Sequence, residues 1–161
     1  MNRMISLSLA MLSILCLASV GMCAEKANFE GTWVIDLRPE SERNAECGHA
    51  YFTLLQKGNR LCGDHTSATI GCGRLNPGYP GSVKGIIVGS TAFLVVTSGR
   101  NGAIVLGKAT RKGDTLHWTT LEEIKAGEPK GDSPLILDKG TLKLDTPQAA
   151  SPELLDACKI R

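Results

Sequence analysis

TAFLVVTSGRNGAIVLGKATRKGDTLHWTTLE, residues 91–122, decides how this chain folds. Two turn signals, SGRNGA and RKGDT, cut it into three runs rich in Val, Ile, Leu and Thr. Runs of that composition between Gly-bearing turns read as strands, and strands joined directly by turns form a meander. The spacing predicts strands at 91–98, 103–111 and 114–122.

The same grammar extends in both directions. QKGNR and VGST are further tight turns, and they bound strands at 49–57, 60–67 and 83–88, with others at 30–37 and 135–144. Helical periodicity is absent before the C-terminal tail. The prediction is an all-β fold, an eight-stranded antiparallel up-and-down barrel with a short C-terminal helix. Closure removes the unpaired edges that an open meander would expose. Eight strands enclose an interior that side chains fill or that holds one small ligand.

Loop lengths give the barrel two unlike ends. The connections after strands two, four and six (KGN, GS, KGD) are tight. Those after strands one, three and seven run over 38–48, 68–82 and 123–134, and the shorter GRNG after strand five shares their end by parity. Binding residues concentrate on irregular loops held over a rigid scaffold. The long-loop end is therefore the expected functional surface, centred on Arg74, Asn76, Tyr79, Arg100 and Asn101.

Residues 28–37, NFEGTWVIDL, bring Gly31-x-Trp33 to the head of the first strand. With an eight-strand meander and an export signal, this resembles the calycin superfamily: lipocalins, avidins and a small bacterial protease-inhibitor family. The resemblance covers residues 29–144 by architecture, not by residue matches. It implies that Gly31 and Trp33 are structural, with Trp33 packed across the closed end. It also implies a basic residue of the last strand lying over that ring, for which Lys143 is the nearest match. The biotin pocket of avidins is lined with aromatics, and this chain has three Phe, two Trp and two Tyr in all, which argues against biotin.

The first 24 residues read as a secretory signal peptide: Arg3, then an apolar stretch from Ile5 to Val20, then small residues, with cleavage after Cys23 or Ala24. Removing 24 of the 161 residues leaves 137, one ordinary domain over 25–161. Arg3 is the one charged residue removed, so 17 basic residues remain against 16 acidic, net +1. That balance makes no case for nucleic acid or an anionic membrane, and no later segment is long enough to span one. The expected location is periplasmic or secreted.

Processing leaves Cys47, Cys62, Cys72 and Cys158, which in an exported chain read as two disulfides. If Gly58 and Asn59 form the turn of the second hairpin, Lys57 faces Arg60 and Cys62 lies mid-strand opposite Leu55. Cys47 then lies opposite residue 70, and a bulge or a small slip brings it to Cys72. Cys62 is left for Cys158. The tail SPELLDACKIR suits a helix over 151–159: Ser151 can cap it, Pro152 fits the first turn, and Leu154 and Cys158 share a face. TAFLVVT and AIVLG are apolar on both faces, so something is expected to cover them, either this helix or a second copy in a homodimer.

No catalytic constellation emerges. Asp64 and His65 are neighbours in a strand and point to opposite faces. Ser67 shares a face with His65, which is read as a solvated or mouth-lining residue. Glu122 and Glu123 alternate faces near the mouth. Cys47, His49, Cys62, His65 and Cys72 are zinc-ligand types at spacings that match no usual site. The expectation is an exported protein with no catalytic residue, cofactor or metal. It binds a small apolar ligand or an exported protein at the long-loop end; the alternative is an inhibitor or immunity-type protein whose loops block an exported enzyme. A cavity at the mouth would favour a small ligand, and a packed interior under rigid loops would favour a protein.

Overall fold

The computed structural model describes residues 27–145 and 150–159; the expected signal peptide lies outside the described residues. The strands are β1 (Gly31–Asp36), β2 (His49–Lys57), β3 (Arg60–Ala68), β4 (Leu75–Asn76), β5 (Val83–Val88), β6 (Thr91–Thr97), β7 (Ile104–Lys112), β8 (Thr115–Lys125) and β9 (Lys139–Leu144), followed by helix α1 (Pro152–Ala157). All pairings are antiparallel, in the order β2-β1-β9-β8-β7-β6-β5-β3, and β2 also pairs β3, which closes the ring at eight strands. The two-residue β4 flanks β3 at Ser67 and Ala68. This is the expected up-and-down barrel, compatible with a calycin-like fold.

Strand alternation sets the interior. In β6, Ala92, Leu94 and Val96 are buried while Phe93 and Val95 face out. One apolar cluster runs through the barrel, including Trp33, Phe52, Leu94, Leu116, Trp118 and Leu142. Small residues make room for the rings: a Cβ on Gly107 would stand 2.1 Å from the Trp118 ring. The Phe52 ring lies 4.9 Å from that of Trp118.

The Gly31-x-Trp33 motif shuts the tight-turn end. Gly31 has φ 130°, a backbone angle that side-chain-bearing residues rarely adopt, and a Cβ there would also press on the Leu144 side chain at 2.6 Å. Trp33 is fully buried and donates Nε1–H to the Phe29 carbonyl at 2.9 Å. The cation over its ring is Arg111, 5.2 Å from the ring centre, rather than Lys143. The cause is parity. The inward series of β7 is Val105, Gly107, Ala109 and then Arg111, whereas β9 turns Leu142 inward and leaves Lys143 exposed. Arg111 also donates to the carbonyls of Asn28 and Gly113.

Both expected disulfides form, Cys47–Cys72 and Cys62–Cys158. The hairpin register is the one read from the turn, with Lys57 opposite Arg60, Leu55 opposite Cys62 and an isolated bridge from Cys47 to Ile70. No slip brings Cys72 to Cys47. A turn does so instead: Cys72 N–H bonds back to the Thr69 carbonyl, with Gly71 and Cys72 both at positive φ. Two disulfides fit an oxidising compartment outside the cytosol. Among the described residues no helix is long and apolar enough to cross a membrane.

The helix is capped as read, with the Ser151 hydroxyl accepting from Leu154 N–H at 3.2 Å. Its location corrects the expectation. Leu154 and Cys158 pack on Cys62, Leu55 and Ala150, outside β2 and β3. Six residues rise only about 9 Å, and the bond to Cys62 anchors the helix two strands away from β6. Ile86, Val88, Phe93 and Val95 on the outer face of β5 and β6 therefore remain exposed.

Candidate binding platform at the long-loop end

Four connections meet at the mouth: residues 37–48, 69–82, 98–103 and 126–138. Cys47–Cys72 joins the first two. Asp36, at the end of β1, organises the first loop. Arg38 forks onto it with Nε to Oδ1 at 3.0 Å and Nη2 to Oδ2 at 2.9 Å, Arg43 adds a bond at 2.5 Å, and Arg38 also reaches the Ala45 carbonyl. The Arg38 side chain, then its backbone N–H, holds the Asp36 carboxyl far below the usual carboxylate range.

Asp132 is the corresponding hub on the other side. Arg100 forks onto it at 2.8 and 3.1 Å, Arg74 stands 3.7 Å away, and the Arg100 hydrogen bond lowers its carboxyl below the ordinary value. Arg100 also donates to the Leu75 carbonyl at 3.4 Å, so it ties three loops together. Asn101 donates to the Asp132 carbonyl at 3.0 Å and accepts from Ala103 N–H at 3.2 Å.

Residues 133–137 form a strap across the mouth, and barrel side chains grip its backbone. Ser98 donates to the Pro134 carbonyl at 2.7 Å and Asn76 to that of Leu135 at 3.4 Å. Trp118 and Thr120 both donate to the Leu137 carbonyl, at 2.5 and 3.2 Å. His65 accepts Leu137 N–H at 3.3 Å.

The five residues expected at this end divide into two groups. Arg74 and Tyr79 are exposed, and Tyr79 is 45 % accessible beside Leu75 at 50 %. Asn76, Arg100 and Asn101 hold the loops. Asn76 is 1 % exposed, and its Oδ1 accepts from both Gly78 and Gly99 N–H groups. Replacing it by alanine would strand two N–H groups and a carbonyl, so Asn76→Ala is expected to cost about 2–3 kcal/mol, read as a shift of the urea midpoint at unchanged m-value. Of the two readings of His65, solvated or mouth-lining, the first fails: the ring is buried, and it bonds the strap from below the mouth. Asp64 faces the outside, where burial raises its carboxyl and a Thr53 hydrogen bond partly offsets this.

Sequence reasoning missed Asp36, Arg38, Arg43, Ser98 and Asp132. The only local signal was loop parity, which already placed Asp132 at the same end as Arg74 and Arg100. Compared with protein-family models, with curated proteins and with solved structures, the chain matches none of them.

Proposed function

We propose that this is an exported, non-catalytic binding protein that engages a partner protein through the rigid loop platform, in the manner of a blocking protein for an exported enzyme. The observation that carries the reading is the stoppered and filled barrel. One cluster of buried side chains occupies the interior where a small ligand would sit, and the strap covers the mouth. Loops braced by a disulfide and two carboxylate hubs lose little freedom on binding, which favours a tight complex. Arg74, Leu75 and Tyr79 lie on one such loop, with an aromatic and an Arg of the kind that dominate interface energies. His65 and Ser67 are 0 % and 9 % exposed, an arrangement that supports binding over hydrolysis. The Gly31-x-Trp33 closure supports the calycin-like assignment, and the uncovered Ile86, Val88, Phe93 and Val95 support self-association through β5 and β6.

The test is capture of partners by the disulfide-intact protein from the exported fraction of its source, followed by affinity measurement with R74A/Y79A. The double variant is expected to bind at least about 30-fold more weakly, the loss of roughly one hot-spot contact. Its melting temperature should move by no more than a few degrees. Unchanged affinity, or a small molecule retained in the barrel on native mass spectrometry, would overturn the reading.

A further inference from the structure

Of the side chains that grip the strap, His65 is the one that can take up a proton in acid. It lies on β3, is 0 % exposed and points into the barrel. Because a backbone N–H can only donate, the Leu137 contact makes Nε2 an acceptor, and the neutral ring carries its hydrogen on Nδ1. Nδ1 has no hydrogen-bond partner among the described residues. From β2, Phe52 stands edge-on to the ring at 4.5 Å. Ser82, just before β5, receives His65 N–H at 3.3 Å, and Gly78 packs on the His65 carbonyl. Leu137 closes the strap side. None of these groups is ionisable, and burial, opposed in part by the residue's own backbone, pushes the ring down to about 4.

We propose that His65 is an acid-operated latch that holds the strap over the barrel mouth and releases it on protonation. Protonating Nε2 replaces the accepting lone pair with an N–H aimed at the Leu137 N–H. Donor then meets donor, and a cation is placed among apolar rings, so the closed arrangement loses both its bond and its low-energy charge state. One proton from solvent is taken up per opening. Residues 133–137 leave the mouth, while the strands remain paired and tied by the two disulfides.

The sign follows from linkage. In the open state the ring is solvated and titrates near its ordinary value of 6.5, whereas in the closed state it titrates at about 4. Closure is therefore at full strength above the higher value and weakens as pH falls towards the lower one, with no further change below it. Over the whole titration, from well above the higher value to well below the lower one, the open-to-closed ratio rises roughly 300-fold.

Amide hydrogen exchange on the disulfide-intact protein reads this directly. Corrected for intrinsic rates, the opening equilibrium at Leu137 should rise roughly 100-fold between pH 7 and pH 4, while Leu94 and Val96 amides stay protected. In His65→Gln the amide oxygen accepts at both pH values, and the Leu137 response should be flat. Simultaneous loss of protection at Leu137 and in β6 would overturn the latch, as would a His65→Gln variant that tracks the parent. If that variant does not fold, NMR titration of the parent decides. Ring protonation that coincides with Leu137 opening and a shift of the Trp118 indole N–H supports the proposal; a ring that titrates with Leu137 unmoved overturns it.

Discussion

Replacing Cys62 and Cys158 together by alanine is expected to lower the unfolding free energy by about 4–5 kcal/mol in the chain-entropy model. The bridge joins residues 96 apart in sequence, and the corresponding C47A/C72A change, across 25 residues, should cost about 3.5 kcal/mol because the entropy rises with the logarithm of loop length. The longer bridge has a second consequence. Helix α1 has six residues and buries one leucine, Leu154, in a cluster separate from the barrel core. A helix that short does not persist without tertiary attachment, so the variant should also expose Leu55 and residue 62. Urea unfolding of both double variants, with protease cutting at the tail as a second readout, checks this. A loss below about 1 kcal/mol for C62A/C158A would show that tethering the tail contributes little beyond the contacts it already makes.

Gly107→Ala is expected to cost about 3 kcal/mol, at the upper end for overpacking. The missing Cβ would lie 2.1 Å from Trp118 Cη2 and 2.5 Å from Cζ2, a clash that no rotamer of alanine can relieve. The ring has little room to retreat. Phe52 lies at 4.9 Å, and the indole N–H is bound to the Leu137 carbonyl on the strap. Trp118→Phe removes the part of the indole that crosses Gly107 but also that hydrogen bond, so alone it should destabilise by about 2 kcal/mol. Together the two changes should cost clearly less than their sum, with a coupling of at least about 1 kcal/mol. Chemical denaturation of the two single variants and the double variant closes the cycle, and additivity within about 0.5 kcal/mol would mean that the close approach of Gly107 to Trp118 carries no energy. The strap would report the same disturbance, since Trp118 and Thr120 share its Leu137 carbonyl.

Much of the barrel was legible because its rules are local. Period-two alternation and Gly-bearing turns located the strands of the eight-stranded ring. Pairing across Gly58 and Asn59 then set which residues of β2 and β3 face one another as far as the Cys47–Ile70 bridge, and this was enough to pair the cysteines. The cap at Ser151 is equally local, a hydroxyl bonding an N–H three residues on.

What only the tertiary structure decided is who meets whom across the barrel. Arg111 instead of Lys143 lies over Trp33 because inward parity, carried along β7, ends at the tight-turn side. The helix lies beside β3 and leaves β6 uncovered because the Cys62–Cys158 bond fixes where its one buried leucine packs. At the mouth, Asn76, Ser98 and His65 grip a strap 59, 36 and 72 residues away in sequence. Composition cannot distinguish an exposed Asn or Arg that contacts a partner from one that satisfies a buried backbone. That distinction depends on which unpaired N–H and C=O groups the closed chain brings within hydrogen-bond reach, and closure is a property of the whole ring.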